Sequence, residues 1–247
     1  MTPPPAAGQD GGPAAPQASR VLVLGANGPT GRRTVQQALD RGLRVDALTR
    51  RPETFPIQHG RLHVVGGDAT EAAVVDAAVA PCDAVISVIG SAFTRRPVAV
   101  YSASAALVVA AMQRHGRRRL LVVTSSGVTP TSGRRDTTFL DRALHPLFRY
   151  TFGRTVYDDM EEMEAVVAAS SLDWTIVRPP GLTDEPGTGY ATAETWIAGP
   201  YCARDDLATM LLDQLDDDRS LRQVVAVVTP GLRVKTLQTI RRELLKR

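Results

Sequence analysis

Apolar residues in this chain fall into short, nearly unbroken runs. Residues 21–24 read VLVL, 83–90 DAVISVIG, 119–127 RLLVVTSSG and 172–181 LDWTIVRPPG. A half-exposed strand alternates apolar with polar positions; runs like these suit strands buried on both faces. Residues 43–50 (LRVDALTR), 61–65 (RLHVV) and 222–229 (RQVVAVVT) bring the predicted strands to seven. Between the runs the spacing becomes helical, as where Val35, Ala38 and Leu39 share one face of 30–41. Further helices are predicted over 71–79, 98–115, about 139–170 with breaks near Pro146 and Gly153, 205–215 and 236–246. Strands alternating with helices imply right-handed crossovers, hence an α/β fold with a doubly wound parallel sheet and helices on both faces.

Two segments stand apart from this pattern. Residues 1–19, MTPPPAAGQDGGPAAPQAS, hold little to bury and are expected to form a disordered tail ahead of one domain at 20–247. They lack the charged start and apolar centre of a signal peptide. Residues 179–200 are rich in Gly, Thr and Pro and read as a long connection, with a substrate loop near 181–200.

Composition narrows the function. A chain of 247 residues, 43% hydrophobic and 22% charged, can bury one sizeable core. The net charge is only +3, and the arginines of 117–119, 134–135 and 241–242 are scattered with few aromatics among them. That argues for solvated faces and no nucleic-acid partner. Cys82 and Cys202 have no metal-ligand spacing, and His59, His63, His115 and His145 show none either, so no metal is expected. The reading is a reduced, cytoplasmic protein, monomer or homodimer. No apolar run approaches the ~18 residues that span a bilayer, so no membrane partner is expected.

The stretch VLVLGANGPTGRR, 21–33, carries the main chemical signal. Gly25 ends the first strand, where a tight turn favours glycine. Gly28 allows backbone to approach a ligand, and Gly31 allows the next helix to pack on the sheet. Pro29 and Thr30 suit the helix's first turn. Its unpaired N–H groups and partial positive charge would receive a pyrophosphate. Beside the first strand of an alternating chain, this pattern, with Asn27 included, predicts a dinucleotide site in a single-domain Rossmann fold. An NAD site places an acid at the end of the second strand; here stand Thr49, Arg50 and Arg51, while Asp46 lies too early. Guanidinium groups match a 2′-phosphate, so the cofactor expected is NADPH, with NADP preferred over NAD.

With these residues on the page the chain resembles the short-chain dehydrogenase/reductase superfamily. It is most similar to the atypical, NmrA-like NAD(P)H-binding branch that includes NADPH-dependent biliverdin/flavin reductases. The carriers are GANGPTG (25–31), GD (67–68), VISVIG (85–90), VVTSSG (122–127) and LDWTIVRPPGLTDEPGTG (172–189). The resemblance implies that Asp68 and Ala69 sit by the adenine. It implies that Ser87, Val88 and Gly90 pass under the ribose and pyrophosphate. Ser126, or Ser125 beside it, would lie near the nicotinamide and a small-molecule substrate. Pro179, Pro180 and Gly181 would line the nicotinamide face.

The same family usually carries a Tyr-x-x-x-Lys pair. Here Tyr157 is followed by DDMEEMEAVV, and Met160 holds the place where many relatives have lysine. The histidines of the biliverdin/flavin reductases are replaced by Met160 and Gly181. Tyr157 as proton donor and Tyr157 as a packing residue therefore both stay open. So do Ser126 as a substrate ligand and Ser126 as a strand-end hydroxyl. Asp158, Asp159, Glu161, Glu162 and Glu164 read as a solvated acidic face. Trp174 reads as core, and Trp196 in the long connection as core or substrate contact. Three functions fit. The first is an NADPH-dependent oxidoreductase that transfers hydride to a small conjugated or carbonyl acceptor such as a flavin, quinone or enone. The others are an NADP(H)-binding redox sensor without turnover and a non-redox isomerase or cyclase.

Overall fold

The computed structural model describes residues 19–92, 94, 96–128 and 154–232. Its main sheet has eight strands. In spatial order they are β3 (Leu62–Gly66), β2 (Arg44–Thr49), β1 (Arg20–Leu24), β4 (Ala84–Ser87), β5 (Arg119–Val123), β6 (Asp173–Arg178), β10 (Gln223–Val228) and β8 (Ala191–Glu194). All neighbours pair in parallel except β8, which runs antiparallel to β10 at one edge. The strand order reverses between β1 and β4, which makes that crevice the switch point of the sheet.

The unbroken apolar runs follow from burial on both faces. In β1, Val21 and Val23 face one cluster and Leu22 and Leu24 the other, and all four are completely buried. The first cluster is closed by α1 (Pro29–Asp40), through Val35, Ala38 and Leu39, and by α5 (Arg204–Asp213), through Leu207 and Leu211. The second is closed by α2 (Ala72–Val79), α3 (Val100–Arg114) and α4 (Arg154–Ala168), through Val79, Tyr101, Met112 and Met163. Trp174 belongs to this second core. The doubly wound α/β fold read from the sequence is the fold observed.

The connection at 181–200 is not a plain loop. It contains β8 and, with β7 (Gly181–Thr183) and β9 (Tyr201–Ala203), a small parallel pair. Strands of three or four residues carry too short a pattern to read. Thr195 takes a left-handed φ of 59°, which ends β8 sharply. The predicted helix at 236–246, the part of the 139–170 helix before residue 154, and the tail up to residue 18 lie outside the described residues. Ser19 is tied down: its backbone N–H and hydroxyl both donate to Asp83, at 3.0 and 2.9 Å. Both cysteines are buried and unpaired with each other.

Asp46, in the middle of β2, is 1% exposed and ties three strands together. Arg20 donates to both its oxygens at 2.5 and 2.9 Å, His63 Nδ1 lies 2.8 Å away, and the Cys82 thiol donates at 3.2 Å. Burial pushes this carboxyl up, but the bonds from Arg20, His63 and Cys82 outweigh it and leave it below the ordinary carboxylate range. A depressed carboxyl stabilises the fold above its unfolded value and loses that contribution as pH falls through the folded one. Asp46→Asn should therefore cost about 2–3 kcal/mol at neutral pH, toward the low end for a buried pair because Arg20 stays 31% exposed. Urea unfolding at stepped pH should show the gap from wild type closing below about pH 4. A gap that stays constant into acid would mean that charge is not its source.

Candidate functional site

The carboxyl ends of β1, β4, β5 and β6 open on one side of the sheet, and the residues singled out by the sequence gather there. Gly25 follows β1 with a φ of 75°, and a Cβ on it would lie 2.7 Å from the Val88 carbonyl oxygen. No L side chain satisfies both the dihedral and the contact. The turn closes with Gly28 N–H donating to the Gly25 carbonyl at 3.0 Å. Gly28 is the N-cap of α1 and Pro29 its first residue, so Pro29's missing N–H costs no helix bond. A Cβ on Gly31 would collide with the Gly25 carbonyl and sit 2.7 Å from Ala26. Gly31 thus presses the helix onto the turn, while Thr30 is buried beside it.

The start of α1 is electropositive. Its first turn has no acid and is followed at once by Arg32 and Arg33. Cations beside a helix N-terminus oppose the dipole. Arg33 is offset by Asp205 at 2.9 Å and Asp184 at 3.3 Å. Among the described residues Arg32 bonds the neutral Asn27, whose Oδ1 accepts from its Nε and Nη2 at 3.0 and 2.7 Å. Asn27 also donates to the Thr54 hydroxyl at 3.1 Å, bracing the turn against the segment after β2. The sequence reading missed Arg32 as a site residue, although it stands directly behind Gly31.

Beside this turn lie the ends of β2 and β3. Arg50 and Arg51 are exposed and follow Thr49, and Asp46 is buried well below them. Asp68 accepts from the Thr70 N–H at 2.9 Å and the Thr70 hydroxyl at 2.8 Å. Those bonds, the N–H foremost, hold its carboxyl below the ordinary range, and the nearby Arg50 adds its field. Ala69 follows it, half-buried. Across the switch point Ser87 is buried, Val88 N–H extends the ladder to Leu24 O at 3.0 Å, and Gly90 is exposed.

The ends of β5 and β6 form the other half. Ser126 N–H donates to Pro179 O at 2.9 Å, joining the two turns. The Ser125 hydroxyl accepts from Gly127 N–H at 3.1 Å and so satisfies backbone at the strand end. Ser126 is half-buried. Pro179 is buried, Pro180 half-buried and Gly181 exposed, with Tyr201 close enough that a Cβ on Gly181 would lie 3.1 Å from its ring. Tyr157, in the first turns of α4, is 9% exposed and packs its ring on Gly127. Met160, one turn on, is also in the core.

Two expectations need correction. The acidic stretch of α4 is not one solvated face: Asp159 and Glu164 are 3% and 8% exposed, while Asp158, Glu161 and Glu162 face solvent. Asp159 accepts from the Tyr101 and Ser102 N–H groups at 2.9 and 3.1 Å and so caps α3. The helical register with Val156, Met160, Met163 and Val167 was the signal available. Trp196 also stands away from the site. Thr195 bonds Val224 near the amino end of β10, opposite the mouth formed by the strand ends. Among the described residues no group of three or more acidic, His or Cys side chains is placed to hold a metal, and no helix is long and apolar enough to cross a membrane.

A family model described as NAD(P)H-binding matches residues 25–218, the span from the glycine turn to the edge of β10. The chain belongs to the NAD(P)H-binding family. Over 54 residues it is 39% identical to an uncharacterized sugar epimerase, YhfK, of Bacillus subtilis, a match spanning 22% of this chain and 25% of that protein. A short-chain dehydrogenase/reductase from Veillonella parvula, solved in complex with NADP, superposes with a TM-score of 0.72 at 20% identity, covering 87% of this chain and 96% of that one. ChuY, an anaerobillin reductase from Escherichia coli O157:H7, superposes with a TM-score of 0.65 at 24% identity, covering 87% and 99%. At such identities the likeness is one of fold: a Rossmann domain.

The packing of Tyr157 on Gly127 is directly testable. A Cβ at Gly127 would lie 2.6 Å from the ring and 2.7 Å from its hydroxyl oxygen. Gly127→Ala should destabilise the protein by about 1–3 kcal/mol through overpacking. Because Tyr157→Ala empties that space, the double variant should cost less than the two single changes summed. Strict additivity in denaturant unfolding would show that the two residues do not touch.

Proposed function

We propose that the protein is an NADPH-dependent reductase that delivers hydride to a small conjugated or carbonyl acceptor. The observation that carries the reading is the glycine turn of 25–31. It leads β1 into α1 at the switch point with glycine at the N-cap and no acid in the helix's first turn. The residues present suit a dinucleotide. The N–H groups at the start of α1 would hold the pyrophosphate. Arg50 and Arg51 would take a 2′-phosphate, and Asp68 and Ala69 would lie by the adenine. Ser87, Val88 and Gly90 would support the central part.

When bound, NADPH supplies the hydride. The chain's own share is to bind, orient and exclude water. Pro179, Pro180 and Gly181 would present an apolar wall, with Ser125 and Ser126 on the facing turn. Ser126 would orient the acceptor oxygen, and Tyr157 or a water held there would provide the proton. Met160 supplies no charge to lower the tyrosine's pKa. An acceptor whose reduced anion is delocalised, such as a flavin, quinone or enone, asks little acid help, so positioning would carry most of the rate. ChuY, an anaerobillin reductase with the same fold, supports a reductase reading.

The rival readings come from the same turn. The missing lysine favours a sensor that holds NADP(H) without turnover, and the local match to YhfK favours a non-redox isomerase or cyclase. NADPH absorbance followed with a panel of flavins, quinones and enones separates them. Consumption of NADPH with at least one acceptor is expected. Tight binding with no consumption would identify a sensor, and product without net NADPH loss an isomerase.

Arg50→Ala tests the cofactor choice. Loss of one charge-assisted hydrogen bond, about 1.5–3 kcal/mol, should weaken NADPH some ten- to hundredfold. NADH should change by less than about twofold. Equal losses in calorimetry would remove Arg50 from the 2′-phosphate. Gly28→Val, a change at the N-cap of α1, should nearly abolish both cofactors in a protein that still folds; unchanged binding would remove the turn from the site.

A further inference from the structure

Behind the two turns at the ends of β5 and β6 lies an ion pair that the proposed chemistry does not use. Glu164 projects from α4, Arg178 is the last residue of β6, and their side chains are 11% and 14% exposed. The Arg178 guanidinium bonds both carboxylate oxygens, with Nε to Oε1 at 2.9 Å. The Thr124 hydroxyl, the first position beyond β5, donates to the same Oε1 at 2.7 Å and is itself 5% exposed. One carboxylate thus grips the residue before Ser125 and the residue before Pro179. The backbone joins the same segments through Thr124 N–H to Val177 O at 2.9 Å and Ser126 N–H to Pro179 O at 2.9 Å.

Stability is a poor reason to keep such a pair. Taking two charges out of water costs several kcal/mol each, and well-packed apolar substitutes are often as stable or more so. An apolar contact, however, is non-directional, whereas a two-point carboxylate–guanidinium contact fixes distance and angle together. The surrounding α4 residues Met160, Met163 and Val167 are apolar, so the site sits in a core where such substitutes were available.

We propose that Glu164, with Arg178 and Thr124, is a positioning residue for the nicotinamide half of the cofactor. The pair sets the spacing between the Ser125–Ser126 turn and the Pro179–Gly181 wall, between which the ring would lie. It rests on the NADPH reading above. It touches neither cofactor nor acceptor, and the adenosine half, bound at the far end of the crevice, is independent of it.

That independence gives the test. Calorimetry on the full chain would compare NADPH with adenosine 2′,5′-bisphosphate, which carries the adenosine and the 2′-phosphate but no nicotinamide. Glu164→Gln keeps the side-chain shape but removes the charge. It should weaken NADPH about tenfold, shift the fluorescence of the bound reduced nicotinamide, and leave the bisphosphate within about twofold. Thr124→Val, which conserves volume and keeps the ion pair, should give the same selective loss at about two- to threefold, and it reports even where the glutamine variant does not fold. Equal weakening of both probes would make the pair a general structural element. Unchanged NADPH affinity and fluorescence in a folded Glu164→Gln or Thr124→Val would also overturn the proposal. A wild-type protein that binds the bisphosphate and NADPH equally would overturn it while sparing the adenosine site. One that binds neither would remove the NADPH reading itself.

Discussion

At the switch point of the sheet there is room for backbone and nothing else. Gly25 turns with a positive φ against the Val88 carbonyl, and Gly31 brings α1 down on the same turn. Three consequences follow from this one contact. The carboxyl ends of β1 and β4 stay level, because Val88 N–H can still reach Leu24 O. The axis of α1 is aimed at the crevice. The first N–H groups of the helix are left facing outward, where a side chain at 25, 28 or 31 would cover or displace them. The proposed anion site would thus be produced by the packing, not added to it, and the cofactor reading depends on that packing being tight.

The two halves of the crevice differ in chemistry. Around the ends of β2 and β3 the surface is charged and exposed, with Arg50, Arg51 and Asp68, and Arg32 stands at the start of α1. Around the ends of β5 and β6 it is made of serines, prolines and glycines, with the charges set back in the core as Glu164 and Arg178. Charged groups near the surface recognise; charged groups in the core hold shape. In the proposed reading the first half selects the nucleotide and the second places its reactive ring, so methionine in place of lysine at 160 leaves the binding site intact.

How much of this was legible in the sequence depends on how each element is stabilised. The parallel strands inside the sheet could be read because burial on both faces demands continuous apolar runs, as in VLVL at 21–24, and the half-exposed edge strand β3 by its short apolar stretch. The turn of 25–31 could be read because Gly25 and Gly31 answer steric demands that no other residue meets. Strands β7, β8 and β9 could not. They are three or four residues long, lie among glycines and prolines, and are held by pairing with distant segments such as β10. Glu164 and Asp159 were hidden for another reason. In DDMEEMEA a buried acid looks like its exposed neighbours; helical register with the apolar positions marks its face, but its partners, 14 residues away for Arg178 and 58 for Tyr101, appear only in the fold.

That last distinction bears on how buried charge is to be read in this fold. Asp46 and Glu164 are both buried acids paired with arginine, at opposite ends of the sheet. Asp46 joins β1, β2 and β3 far from the crevice, and it gathers a histidine and a thiol besides its arginine. Its effect is on the fold, and pH reaches it through the fold. Glu164 joins two turns that face the crevice and is bonded by Thr124 and Arg178. Similar chemistry therefore serves two ends, and geometry decides which: a network among strand interiors stiffens the sheet, whereas one spanning two adjacent strand ends sets the width of whatever lies between them.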